Sequence, residues 1–390
     1  MKKIHDFDEA VDRIGTDSYK WDCEGAGGKY IPLGVADTDF RAPEEVCAAV
    51  RKRVDFGVFA YGNLPQKRFA DAVCAWYKKR YGLTLDPQAV RHSQGLMTGA
   101  LWMILNAYTR PGDKILVQPP VYNTFGIVIR GAGRFVENND LILKDGRYEI
   151  DFDDLEKKTA DPRVRILLVC NPANPVGRVW TREELTRMYE ICKKNHTLIV
   201  SDEIHGDIVY APHRHIPYFS LSEEIADNVI VMGSPSKTFN LACFYSAYVV
   251  IHNEELREQY GIVYEDYHFD YNYLGIEALI TAYNDCEYYA DQQNEYLHKN
   301  IEFAKRFLAQ AMPEVKVIEP EATYLLWIDF RAWELSSPEL VRLFESAGVK
   351  LNSGANYGAP GDGFLRLNVA TQTTVLEEAL RRMKKAAENR

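Results

Sequence analysis

Cysteine is scarce and unpatterned in this chain of 390 residues: there are seven, an odd number, with no C-x-x-C anywhere. That excludes a disulfide framework and fits a reducing compartment. No stretch approaches the ~18 uninterrupted apolar residues of a membrane-spanning helix. The opening MKKIHDFDEAVDR turns acidic after two lysines and has no apolar core, so no secretory leader is expected. Positive charge is in deficit, 46 Lys+Arg against 56 Asp+Glu for a net charge of −10, which argues against nucleic acid or an anionic membrane as the main partner. Repeats, low-complexity tracts and long like-charge runs are missing too, which excludes solenoids and extended disorder. There is no H-E-x-x-H, no Cys/His cluster at zinc spacing and no G-x-x-x-x-G-K-[ST]. His213 and His215 stand two apart in PHRHIP with no third ligand in view, so no metal is expected. The run GAGGKY at 25–30 neither follows a strand nor opens a helix, so it is not a dinucleotide fingerprint. These absences leave an acidic, soluble, cytoplasmic globular protein.

What is present is ample core material: 46% of the residues are hydrophobic, enough for two domains at this length. Residues 1–40 read as an arm of short helical pieces joining a small domain. Residues 41–285 read as a large α/β domain and 286–390 as a small C-terminal α+β domain. In the large domain, helices are expected at about 43–56, 66–81 and 97–108. Thr181 and Glu184 form a capping box that opens a helix running to about 194. The runs KILVQ, RILLVC, TLIVSDE, NVIVMGS and SAYVVI are apolar on both faces. Such strands, separated by helices, predict a parallel sheet covered on both sides. A long helix is expected over about 283–311. It is followed by strands near 315–318, 323–329 and 364–369, and by helices at 338–347 and 373–387.

Three of the strands end in chemically useful residues: Asn171-Pro-Ala-Asn174-Pro, Asp202-Glu203 and Ser234-Pro-Ser236-Lys237. Ligands of open α/β sheets bind beyond the carboxyl ends of the strands, so an Asn, an Asp and a Lys are expected to converge on one site. Turn formers at strand ends would explain any one of them, but not all three together.

In order and spacing, NPANPVG, SDEIH and SPSKTFN resemble the signature of fold-type I pyridoxal-phosphate enzymes. Within these, the chain most resembles the MalY/PatB-type cystathionine β-lyases, C–S lyases of the aminotransferase class I/II superfamily. The resemblance covers nearly the whole chain: DFDEAVDRIGTDSYKWD, VADTDF, PPVYNTF, TYLLWIDF and GFLRLNVA fall where that group has similar strings. It implies the fold-type I architecture, an α/β fold with a large, mostly parallel sheet domain beside a smaller α+β domain. It also implies pyridoxal 5′-phosphate as cofactor, an amino-acid substrate, and a homodimer with shared active sites.

Residue by residue, the resemblance makes Lys237 the Schiff-base lysine and the base at the substrate Cα, and Asp202 the carboxylate that pairs with the pyridinium nitrogen. Asn174 matches the asparagine that hydrogen-bonds the cofactor's 3′-oxygen and is placed beside the substrate. Tyr122 matches the aromatic stacked on the ring, against the alternative of a core tyrosine. His205 is read equally as a second ligand for the 3′-oxygen and as a packed core histidine. The phosphate is expected on Gly95, Leu96 and Met97, at a predicted helix N-terminus, with hydroxyls from Ser234 and Ser236. Tyr61 matches the tyrosine that reaches the phosphate from the neighbouring subunit. Arg366 resembles the arginine that grips the substrate carboxylate, with Ala36 of VADTDF beside it.

The departures bear on the substrate. Aminotransferases of the superfamily usually carry a phosphate-binding Arg eight residues after the lysine; here Tyr245 stands there, as the MalY-type lyases also lack that Arg. Cys243 replaces a Gly usual in the lyase group, LGVADTDF loses a Trp and a Met found there, and GANYGAPGDGF varies the usual stretch. The expected activity is therefore C–S β-lysis of cystathionine or another cysteine S-conjugate, giving a thiol, pyruvate and ammonia. The alternative is an aminotransferase using the same residues.

Overall fold

Seven strands form the central sheet of the computed structural model, which describes residues 3–267 and 271–390. Their spatial order is Val90–Gln94, Ser246–Ile251, Val229–Gly233, Leu198–Asp202, Val164–Cys170, Lys114–Val117 and Phe135–Asn138. Alternate residues of the inner strands feed two separate apolar clusters. Leu167, Val169, Ile199 and Val231 lie in one, while Ile166, Leu168, Val200, Ile230 and Met232 lie in the other. The doubly apolar sequence runs are thus explained by a sheet buried on both faces, each fully buried Val, Leu or Ile contributing about 1.5–3 kcal/mol. The helix Arg182–Lys194 opens with the expected capping box, Glu184 N donating to Thr181 Oγ1 and Thr181 N to Glu184 Oε2.

The sheet departs from the parallel pattern at one strand. Ser246–Ile251 runs antiparallel to both of its neighbours. The connector from Val229–Gly233, residues 234–245, carries the Lys237 loop and only a short 3-10 turn, Ala242–Phe244. It is too short and irregular for the crossover helix that a parallel return requires. The edge strands Val90–Gln94 and Phe135–Asn138 lacked a sequence signal because they read VRHSQ, mostly polar, and FVEN, only four residues and half polar. The long helix is Glu287–Ala311 rather than 283–311: Cys286 leaves helical geometry (φ −118°, ψ 26°) and separates it from Tyr273–Asp285.

A second, antiparallel sheet has the order Lys316–Val317, Leu325–Asp329, Phe364–Asn368 and Asn352–Ser353. The arm joins this half of the molecule through Ile31–Pro32, which pairs in parallel with Val349–Lys350. Among the described residues, no helix is long and apolar enough to cross a membrane, and no group of His, Cys, Asp or Glu is arranged to hold a metal ion.

Candidate active site

A cavity of about 370 Å3 opens beyond the carboxyl ends of the inner strands, where the strand-end argument expects a ligand. Asp202, the last residue of its strand, forms part of the wall; Asn174, Ser234, Ser236 and Lys237 come from the turns that follow neighbouring strands. Gly95, Leu96 and Met97 line another side, and Tyr122, His205 and Ala36 complete the set. Arg366, in the small sheet, lies one hydrogen bond away, its Nη1 donating to Asn174 Oδ1 at 3.0 Å. Tyr61 is the exception: it is 94% exposed and does not line the cavity. A larger surface groove of about 710 Å3 past Arg91 and His92 contains none of these residues.

The helix beside Gly95 explains its glycine. Gly95 has φ +81°, and a Cβ there would approach the Tyr245 ring to 3.2 Å. The chain then winds into a wide turn, Leu96–Leu101, that continues as the helix Trp102–Tyr108. No side chain caps its N-terminal end, which leaves backbone donors and the positive end of the helix dipole suited to an anion. Ser234 Oγ and Ser236 Oγ lie 2.8 Å apart and add hydroxyls to this corner.

The ionisable groups are shifted in ways that suit chemistry. Burial pushes the Asp202 carboxyl up to about 7, against the backbone N–H of Ile204 (3.1 Å) and the charge of Lys237, with Glu203 adding to the rise. Burial lowers Lys237 to about 8; Arg366 lowers it further, while Asp37 and Asp202 oppose the drop. Burial, with Lys237 and Arg366 nearby, depresses His205 well below the ordinary imidazole value, so His205 is neutral. Its Nδ1 is buried without a partner. Arg366 is buried, and among the described residues its contacts are all to uncharged groups: Asn174, the Gly34 carbonyl (2.6 Å) and the face of Tyr357 at 5.0 Å. Its Nε is also buried and unpartnered. A buried polar group left without a protein partner calls for an explanation, and a ligand in the adjoining cavity would supply one for these two.

One wall is an irregular strap, residues 34–40, in which every backbone carbonyl accepts a side-chain donor from elsewhere. Arg366 holds Gly34, Asn368 holds both Val35 and Asp37, and Lys237 Nζ (2.6 Å) and Tyr324 OH (3.1 Å) share Ala36. Arg13 and Asn240 hold Thr38, Gln372 holds Asp39, and Asn240 also holds Phe40. Sequence reasoning missed Tyr324, Asn368 and Asn240, and the cavity-lining Ile204, Thr98 and Thr124. Five of the six sit inside the strings that carry the resemblance, TYLLWIDF, GFLRLNVA, SPSKTFN, SDEIH and PPVYNTF. For Tyr324, Asn368 and Asn240 the missing signal is partner identity, because these side chains act on backbone carbonyls far away in sequence.

The model of the family "Aminotransferase class I and II" matches residues 28–383. The chain is 40% identical over 385 residues to cystathionine beta-lyase PatB of Bacillus subtilis, covering 97% of this chain and 99% of that one. Among solved structures, cystalysin from Treponema denticola, which contains a pyridoxal 5′-phosphate cofactor, superposes with a TM-score of 0.94 at 32% identity, over 99% of this chain and 100% of that one. A PLP-bound putative aminotransferase from Clostridium difficile 630 also gives a TM-score of 0.94, at 35% identity over 98% of this chain and 100% of that one. By sequence and by fold alike, the chain belongs to the aminotransferase class I and II family.

Proposed function

We propose that the protein is a pyridoxal-phosphate-dependent C–S β-lyase acting on cystathionine or a related cysteine S-conjugate. The observation that carries this reading is a cavity lined by Lys237 and the buried Asp202, with the buried Arg366 one hydrogen bond away through Asn174 and paired with no carboxylate among the described residues. The donor set fits pyridoxal 5′-phosphate. Asp202 offers an acceptor to a protonated ring nitrogen, the backbone at Leu96 and Met97 with Ser234 and Ser236 offers donors to a phosphate, and the orphaned His205 Nδ1 and Asn174 lie at hand for a ring oxygen. When bound, the cofactor supplies an electron sink that acidifies the α-proton of an attached amino acid.

This chain's own residues do the rest. Arg366 grips the substrate carboxylate through the guanidinium fork, aided by Asn174. Lys237, whose ammonium is lowered to about 8, is neutral often enough near neutral pH to take the α-proton. Asp202 keeps its negative charge opposite a cationic partner and so favours charge delocalisation away from Cα. The thiolate then departs from Cβ and leaves as the thiol, and one water hydrolyses the remaining three-carbon fragment to pyruvate and ammonia. That relatives are described as a cystathionine beta-lyase and as cystalysin supports the same reading. The deciding assay incubates the protein with cystathionine without any keto acid. Thiol and pyruvate in equal amounts support β-lysis, whereas amino-group transfer only when a keto acid is added would replace it with transamination.

Arg366→Lys retains a charge but loses the fork. KM for the amino acid is expected to rise about 10–100-fold with a smaller change in kcat, and an unchanged KM would remove Arg366 from carboxylate binding.

The assembly belongs to the same proposal. Tyr61 lies on an exposed segment with Phe56, Val58 and Phe59, the kind of apolar patch that a protein partner covers. A homodimer in which Tyr61 reaches the other subunit's phosphate accounts for both its exposure and its distance from its own cavity. Tyr61→Phe should loosen cofactor binding about 10-fold, and a monomer in sedimentation would refute the shared site. All seven cysteines are unpaired thiols, which supports placing the enzyme in the cytoplasm.

A further inference from the structure

The strap that receives Lys237 is anchored from the arm by a compact charge cluster. Arg13 Nη2 lies 2.9 Å from Asp37 and its Nη1 lies 2.7 Å from Asp39. Lys20, wholly buried, lies 2.8 Å from Asp39 and 3.5 Å from Asp37. Trp21 Nε1 completes the shell of Asp39 at 2.8 Å. Two cations and two carboxylates balance, which is the condition for burying such a group. The members are not equivalent. Asp39 is sealed in by three donors, whereas Asp37 follows directly on Ala36, whose carbonyl accepts Lys237 Nζ at 2.6 Å.

We propose that Asp37 is a positioning residue that sets the proton affinity of Lys237, with Arg13 as the arm's counter-charge that moderates it. The proposal rests on the reading of Lys237 as the cofactor-linked lysine.

The charged and polar groups facing Lys237 come from four elements: Asp37 on the strap, Asp202 at its strand end, His205 in the following turn, and Arg366 with Tyr324 on the small-sheet side. Burial is the largest influence on Lys237 and lowers it; among the charges, Asp37 is the foremost that opposes the lowering. Asp202 is engaged in the ring-nitrogen role once cofactor is bound, which leaves Asp37 as the other carboxylate whose charge opposes the lowering of Lys237. An arm that fixes Asp37 thereby links two distant stretches of sequence to the reactive amine. The DFD-to-KWD opening of the chain acquires a chemical role as well as a packing one.

The two ends of this ion pair make opposite predictions, which a merely structural anchor would not. Removing the carboxylate leaves uncompensated cations near Lys237 and lowers its proton affinity. Removing the guanidinium unmasks Asp37 and raises it. The experiment prepares Asp37→Asn and Arg13→Met as holoenzymes and measures the pH midpoint of the absorbance change of the lysine-linked cofactor. Expected is a downward shift for Asp37→Asn and an upward shift for Arg13→Met, each of about half a pH unit or more. The same directions should appear in ligand-free protein, in the pH dependence of Lys237 acetylation by acetic anhydride read by peptide mass spectrometry. If either variant fails to fold, Arg13→Gln decides the matter by its upward shift. Midpoints that move in the same direction, in the reverse directions or not at all overturn the role of Asp37. Loss of the functional reading is seen separately, as a covalent cofactor linkage that survives in Lys237→Ala.

Discussion

Lys237→Ala will leave a folded protein that cannot form a covalent link to pyridoxal phosphate and turns over cysteine S-conjugates at least about 1,000-fold more slowly. The size follows from the two duties that meet in one amine. Its nitrogen lies in the cavity with Asp202 and within hydrogen-bond reach of the strap, and among the described residues no second lysine lines that cavity to substitute for it. Borohydride trapping followed by peptide mapping reads the linkage, and pyruvate release reads the turnover. A variant that still traps cofactor on another residue, or that retains turnover within ten-fold, would end the assignment. The lowered amine makes a further prediction for the unsubstituted protein. Because only the neutral amine can attack an aldehyde, cofactor loading should rise with pH and level off just above 8. A plateau near 10, the range of an ordinary lysine, would contradict the electrostatic picture.

The sequence made the large sheet and most of its site legible for a single reason. Buried parallel strands must be apolar on both faces, and their carboxyl ends must bear whatever the ligand needs, so RILLVC, TLIVSDE and NVIVMGS carry fold and chemistry in the same strings. Where an element is short, polar or at an edge, the signal fades, as for Val90–Gln94 and Phe135–Asn138. The reversal of Ser246–Ile251 was hidden because apolar runs carry no direction; only the shortness of the Lys237 connector hinted at it. The strap shows the same limit for the site. VADTDF was visible as a string, but a row of carbonyls held by Arg366, Asn368, Lys237, Tyr324, Arg13, Asn240 and Gln372 exists only in three dimensions. Tyr61 was readable through resemblance alone, since its side chain stands exposed, away from the cavity.

Asp202→Asn separates what this site costs the fold from what it gives the reaction. In the ligand-free protein, burial raises the carboxyl to about 7, above its ordinary unfolded value near 4. For an acid whose folded value is raised, the folded state holds the proton more tightly. Its contribution to stability is therefore greatest below pH 4 and is lost as the pH climbs from about 4 through 7. At pH 8 the native protein carries a desolvated anion, and asparagine removes it at nearly the same volume. The ligand-free variant should accordingly be more stable than the parent at pH 8, by about 1–3 kcal/mol, or a rise in Tm of about 2 °C or more. The advantage should vanish toward pH 4, where the parent's own carboxyl is protonated. The cost appears once cofactor is bound. The parent then gains a cationic partner for its buried charge and the variant does not, so the rise in Tm on adding pyridoxal phosphate should be smaller in the variant. Turnover should fall by about 100- to 1,000-fold, the worth of a buried ion pair broken on one side. Equal Tm values at pH 8 with turnover intact would mean that Asp202 neither suffers from its burial nor serves the ring nitrogen. Stability and activity moving in opposite directions, with the stability difference confined to the window above pH 4, is the signature of a charge kept in the core for the reaction rather than for the fold.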